Sequence, residues 1–431
     1  MISKTIGPAT LAILMTMNSL HAQTKFVANL DEAKVGTLPI PDVLTSDDGY
    51  KTTTSEEWIN KRRPEILRIY EKEVFGKTPT DKLEGMRFVT TAENKQALGG
   101  KATMRQVTIY FTAKDEPHVD VLLYLPNKRT APAPVFVSLN FAGNHSTSTD
   151  PSIPISKSWF RSNPKDGVVD NQATEATRGT AVDRWPYEAI IDRGYAVATA
   201  YYGDIDPDFD DGFQNGVHPL FYKDGQTKPA ADEWGSIGAW AWGMSRMVDY
   251  LVTCPEVDGK KCIALGHSRL GKTSLWAGAQ DERFGIVISN DSGAGGAALS
   301  KRIFGETVER LNTNFPHWFN GNYKKYSDNE AALPVDQHEL IALMAPRPVY
   351  IASATEDLWA DPKGEFLGGK LAEPVYALFG KKGLGISEPP ASDTSVGDSI
   401  GYHARTGKHD ILIFDWTCYM DFADKHWGKA K

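Results

Sequence analysis

Four short runs of this chain are almost wholly apolar: 135–139 (VFVSL), 196–200 (AVATA), 262–265 (CIAL) and 348–352 (PVYIA). A strand without polar alternation has no face to offer water, so it must be covered on both sides, which is how parallel strands under helices read. The segment 232–252 supplies one such cover. Asp232 can cap a helix in which Trp234, Ile237, Trp240, Met244, Met247 and Leu251 recur at helical spacing. Earlier in the chain the pattern differs. Residues 103–112 and 118–125 are separated by charged and proline-bearing residues, and Val119, Val121 and Leu123 alternate as an antiparallel strand does. Before them, Ser55, Glu56 and Glu57 open a helical pattern that Gly76 stops. The expectation is an α/β fold: one mostly parallel central sheet with an antiparallel N-terminal edge, sandwiched between helices in three layers. The long aperiodic stretches 141–186 and 202–230 then become loops of functional length.

Composition narrows the partners. A net charge of −8 on 431 residues carries no basic signature for a phosphate backbone, so no nucleic acid is expected. The first residues read as an address: Lys4, an apolar stretch 6–17, then Leu20, His21 and Ala22 before Gln23. Residues 1–22 are expected to be a signal peptide and 23–431 one catalytic domain with an N-terminal extension. The mature protein would then be secreted or periplasmic. No other stretch is apolar enough for a membrane span. Three cysteines cannot form a disulfide framework; Cys254 with Cys262 is one pairing, and three free buried thiols is the other reading.

At 261–272 (KCIALGHSRLGK) an apolar strand runs into Gly266, His267 and Ser268 and on into a helical stretch with Leu275 and Trp276. A serine on such a strand-to-helix turn exposes its hydroxyl above the sheet. The second glycine of the usual G-x-S-x-G comes one position late, at Gly271, with Leu270 in its place. A serine nucleophile needs a base, and the base needs an orienting carboxylate, in the chain order serine, acid, histidine. The strand at 348–352 runs into Glu356, Asp357, Leu358 and Trp359, and His409 follows in GKHD. His403 and His426 are its competitors; His409 is preferred because it precedes the apolar run ILIFDW, as a loop at a sheet edge would.

The motifs GHSRLGK, NDSGAGG (290–296), EDLWADP (356–362) and GKHDILIFDW (407–416), with upstream Arg184-Trp185-Pro186 and DIDPD (204–208), resemble the glucuronoyl esterases of carbohydrate esterase family 15. The resemblance covers most of 100–420. It implies an α/β-hydrolase fold, no cofactor, and cleavage of the ester joining glucuronic acid on xylan to lignin alcohols. It makes Ser268 the nucleophile, His409 the base, and Arg269 the neighbour that helps hold the oxyanion, a role that suits a guanidinium beside a developing negative charge. Within the family the acid occupies either of two places, and this chain has a carboxylate at both, Asp291 and Asp357. Asp357 is favoured because aspartate is shorter than the glutamate usual at the first place. Lys272, Glu306 and Trp359 match positions that contact the glucuronate. His267 stands where fungal members carry a cysteine, so the fungal disulfide is absent and the chain resembles a bacterial member.

Other readings remain at this level: an acetylxylan esterase or another serine hydrolase on the same fold, or a carbohydrate-binding protein without catalysis. The run Asp204, Asp206, Asp208, Asp210 and Asp211 lacks the glycine and glutamate of a calcium loop and reads as a solvated loop, and no histidine and cysteine spacing suits zinc, so no metal is expected. The oligomeric state is open, with a monomer as the expectation.

Overall fold

The computed structural model describes residues 26–429 apart from 38 and 81–82, so the expected leader 1–22 lies outside the described residues. The strands are β1 (Arg87–Gln96), β2 (Ala102–Tyr110), β3 (His118–Pro126), β4 (Ala133–Asn140), β5 (Val168–Val169), β6 (Gln172–Ala173), β7 (Ala196–Tyr201), β8 (Val257–His267), β9 (Phe284–Asn290), β10 (Val349–Ala354), β11 (Val396–Gly397) and β12 (Ile400–Arg405). Ten of them form one sheet in the order β1-β2-β3-β7-β4-β8-β9-β10-β12-β11, and β5 and β6 pair as a small hairpin. From β7 to β12 the neighbours are parallel. The β1–β3 edge is antiparallel and joins β7 antiparallel, and the short β11 closes the other side in the same sense.

The apolar runs are buried on both faces because each face has its own core. Val135 and Val137 of β4 point into one hydrophobic cluster and Phe136 into the other; Ala264 of β8 faces the first, Ile263 and Leu265 the second. The first cluster is covered by helices Arg63–Glu73, Ser236–Leu251, Arg269–Gln280, Gln337–Ala342 and Pro362–Leu378, the second by Tyr187–Asp192 and Ile413–Trp427. The result is the three-layer α/β-hydrolase sandwich.

Two expectations are corrected. The helix expected from 232 begins at Ser236 with Gly235 at its cap, because the backbone there runs against Phe319, whose carbonyl oxygen a β-carbon on residue 235 would meet at 2.6 Å. The acidic run is solvated only in part: Asp210 is exposed, but Asp206 and Asp208 are buried, Asp206 bonded to His218 Nδ1 at 3.0 Å, and buried carboxylates of this kind persist only when partnered. Of the two cysteine readings the free thiols hold: Cys254, Cys262 and Cys418 are separate and buried, with Cys254 directed to the carbonyl of Tyr250 and Cys262 to that of Gly259.

Candidate active site

The chemistry-bearing residues sit where a doubly covered parallel sheet leaves room, at the carboxyl ends of its strands. Ser268 follows β8, Asp291 follows β9, Asp357 lies just beyond β10 and His409 just beyond β12. Ser268 has φ 58° and ψ −131°, a conformation non-glycine residues rarely adopt. The turn is tight enough that a β-carbon on Gly266 would fall 1.7 Å from the carbonyl oxygen of Leu270. The late glycine has its own reason: a β-carbon on Gly271 would meet Ser292 and the Asn290 carbonyl, so glycine lets the helix lie close to the end of β9. Position 270 faces no such approach, and Leu270 packs in the core.

His409 receives its orientation from Asp357, whose Oδ2 lies 2.5 Å from Nδ1. The imidazole loop is held from beneath by Arg405, which donates to the carbonyls of Lys408 (2.8 Å) and Asp410 (3.1 Å), and from the side by Arg184 on Asp410. The buried ring of His267 lies 4.5 Å from that of His409, centroid to centroid, and burial, then the neighbouring His409, hold His267 well below the usual imidazole range. Of the competing histidines, His403 is buried within β12 on Asp415 and Tyr350, and His426 contacts the Asp398 carbonyl; neither lines the cavity.

Asp291 is close by: one of its oxygens, one of Asp357 and a His409 ring nitrogen lie within 4.8 Å of one another. Its Oδ2 accepts the Asp410 amide at 3.2 Å. Burial, then repulsion from Glu365 and Asp357, pushes its carboxyl well above the usual range. Glu365 lies behind it, accepting the amides of Ser292 (2.7 Å) and Gly293 (3.0 Å) and the Ser353 hydroxyl (2.6 Å). Burial pushes the Glu365 carboxyl up to about 8 from 4.5. An acid so raised keeps in the folded state a proton that the unfolded chain releases, so stability falls as pH climbs from 4.5 to about 8. Thermal unfolding of Glu365→Gln should accordingly depend less on pH across that window than that of the wild type. Parallel curves would show that Glu365 is ionised throughout.

Arg269 has a partner that sequence reasoning missed. Its guanidinium pairs with Asp208, which also accepts from the Tyr202 hydroxyl (2.8 Å), His317 Nε2 (2.8 Å) and Trp318 Nε1 (2.7 Å). Burial alone would raise the Asp208 carboxyl, but His317, Arg269 and Trp318 together hold it well below the usual range. The guanidinium carbon lies 4.7 Å from the Trp318 ring centre and 5.5 Å from that of Phe315. Its buried Nε–H has no acceptor among the described residues. The signal for Asp208 was positional: it follows β7 closely and so lies on the same rim as Ser268.

Lys272 is 2% exposed. Its ammonium donates to the carbonyls of Ser292 (2.7 Å) and Ala294 (2.6 Å) and to Glu306 Oε2 (2.8 Å). Glu306 Oε1 accepts from Trp359 Nε1 at 3.2 Å, and the Glu306 amide donates to the Trp359 carbonyl at 2.9 Å. Trp359 itself is 41% exposed. Ser268, Arg269, Lys272, Asp291, Glu306, Asp357, Trp359 and His409 all line one cavity of about 360 Å³, so every site residue expected from sequence is brought to one place.

Over residues 195–380 the sequence matches the family model described as glucuronyl esterase, fungi. A carbohydrate esterase from an unknown prokaryotic organism is 50% identical over 399 residues, 92% of this chain and 92% of the relative. The solved glucuronoyl esterase from Solibacter usitatus is 49% identical with a TM-score of 0.87, covering 92% of this chain and 100% of the other. A promiscuous esterase of carbohydrate esterase family 15 from a marine bacterial metagenome is 49% identical with a TM-score of 0.86, covering 93% of this chain and 100% of the other. An α/β-hydrolase sandwich with these motifs, half identical to such proteins along nearly its whole length, belongs to the glucuronoyl esterases of carbohydrate esterase family 15.

Proposed function

We propose that this chain is a serine carboxylic ester hydrolase that cleaves (4-O-methyl)glucuronoyl esters linking glucuronoxylan to lignin alcohols. The observation that carries the reading is the meeting of Ser268, the His409–Asp357 pair and the Lys272–Glu306–Trp359 set in one cavity. A relative from Wolfiporia cocos, 36% identical over 151 residues, is named 4-O-methyl-glucuronoyl methylesterase 1, which supports the same substrate class.

In this reading Ser268 Oγ attacks the ester carbonyl while neutral His409 takes its proton, with Asp357 stabilising the imidazolium. The Arg269 guanidinium and the first amides of the helix Arg269–Gln280 face the carbonyl oxygen as it gains charge. The carbonyl re-forms, the C–O bond to the alcohol breaks, and His409 returns the proton to the leaving oxygen. Water then repeats the sequence on the acyl-enzyme and frees the uronate and Ser268. The leader expected at 1–22 would take the enzyme out of the cytoplasm to meet a polymeric substrate.

Glu306 and Trp359 are the groups that can read the sugar, through the remaining lone pairs of a carboxylate already held by Lys272 and through an exposed ring. Lys272 acts by holding Glu306, since its three hydrogens are already engaged. Glu306→Gln should lower kcat/KM about tenfold on a uronate ester and leave an aryl acetate unchanged. Lys272→Met should lower both, because it also unties the loop at 292–294. Equal loss on both substrates in Glu306→Gln would remove it from sugar recognition. The deciding assay for the function compares a benzyl ester of methylglucuronate with acetylated xylan and an aryl acetate. Preferred turnover of the first is expected, and preference for acetylated xylan would make the chain an acetylxylan esterase.

A further inference from the structure

A second hollow, of about 800 Å³, lies beside the antiparallel edge of the sheet and is lined by none of the residues around the catalytic cavity. One side is lined by Thr91 of β1, Gln106 of β2 and Asp120 of β3. The pairing of Val121 with Ala200 puts this part of β3 level with the carboxyl end of β7, so both cavities open on one rim. From β8, which delivers Ser268, to β3 is three strand spacings, roughly 14 Å at ~4.8 Å each. One pyranosyl ring cannot bridge that distance, and a short run of linked rings can.

The lining has the chemistry of a sugar site. Trp159 and Phe209 pack with ring centres 4.3 Å apart at its wall, and the Tyr201 hydroxyl fixes the Trp159 backbone by donating to its carbonyl at 2.8 Å. Asp204 accepts from the Ser158 hydroxyl at 2.5 Å, and burial pushes its carboxyl up to about 7, so near neutrality it can both donate and accept. Asp120 and Glu116 add acceptors, and Lys157 and His118 donors, a mixed set that suits hydroxyls. The two cavities also share a loop, since Asp208 holds Arg269 and the next residue, Phe209, lines the hollow.

We propose that this hollow binds an unesterified, neutral stretch of the pentosyl main chain while the uronate ester it carries occupies the catalytic cavity. The inference rests on the glucuronoxylan reading of the catalytic site. Xylohexaose, which has neither uronate nor ester, is the probe for calorimetric titration of the wild type, Trp159→Ala and Thr91→Arg. The arginine is placed on an exposed strand position to fill the hollow without disturbing the fold, should the tryptophan variant fail to fold. Binding by the wild type, weakened about tenfold in each folded variant, is expected, with a similar rise in KM on esterified glucuronoxylan and unchanged kcat/KM on the benzyl ester. Absence of xylohexaose binding at millimolar concentration, or an unchanged KM on the polymer in both variants, overturns the proposal. So does preferential binding of an aromatic alcohol such as coniferyl alcohol at the same residues, which would give the hollow to the leaving group. A wild type that binds xylohexaose but turns over no uronate ester would instead refute the catalytic reading and leave the hollow standing.

Discussion

The Ser268→Ala protein should fold as the wild type does and lose turnover of glucuronate esters by about 10³-fold or more. The substitution removes one oxygen from a side chain at a cavity wall and keeps the β-carbon, so the tight turn with φ 58° is neither relieved nor worsened. What disappears is the atom that must bond to the carbonyl carbon. Residual activity would come from the positioned donors alone, acting on attack by water. Circular dichroism and the unfolding temperature check the fold, and turnover of the benzyl ester checks the chemistry. A variant that keeps a tenth of wild-type turnover would place the nucleophile elsewhere.

Asp357→Asn should lower turnover by about 10⁴-fold, because an amide at that place favours the wrong imidazole tautomer and cannot stabilise the imidazolium. Asp291→Asn should cost only a few-fold. Its carboxyl is pushed toward the neutral form by burial and by its acidic neighbours, so the amide replaces a group that carries little charge and can still accept the Asp410 amide. The double variant should then be no worse than Asp357→Asn alone. Two mild single variants with a severe double one would instead mean that the carboxylates share the task. A severe Asp291→Asn beside a near-normal Asp357→Asn would reverse their roles.

The strands that were legible in the sequence are those whose two faces meet only hydrocarbon, such as β4 and β7. Two parallel strands flanking the site were not among the apolar runs. β12 carries His403 and Arg405, buried only because Asp415 accepts from both, and a partner 12 and 10 residues further along, beyond a loop, leaves no local trace. β9 is apolar at 286–288, but its polar end, Ser289 and Asn290, belongs to the elbow it supports. In the site, Ser268 and Asp357 were readable because each follows an apolar strand, and His409 because it comes last in the order the fold demands and precedes the apolar run ILIFDW. Asp208 was not, because proximity to other aspartates suggests solvent, and only the fold brings Arg269, His317 and Trp318 around it. The true start of the helix at Ser236 was hidden for a similar reason: it is set by a contact with Phe319, far along the chain.

The pairing of Arg269 with Asp208 bears on when the arginine is felt. A bound ester offers a carbonyl oxygen with only partial charge, and it meets a guanidinium whose positive charge is already matched by a carboxylate. On the proposed mechanism that oxygen becomes a full anion as the tetrahedral species forms, and it can draw the guanidinium's field away from Asp208. On that mechanism the gain would be largest at the top of the barrier and small in the resting complex, an arrangement that favours rate over retention of substrate. A lone arginine in the same place would grip every carboxylate that entered, including the uronate product, and the enzyme would idle on what it had made.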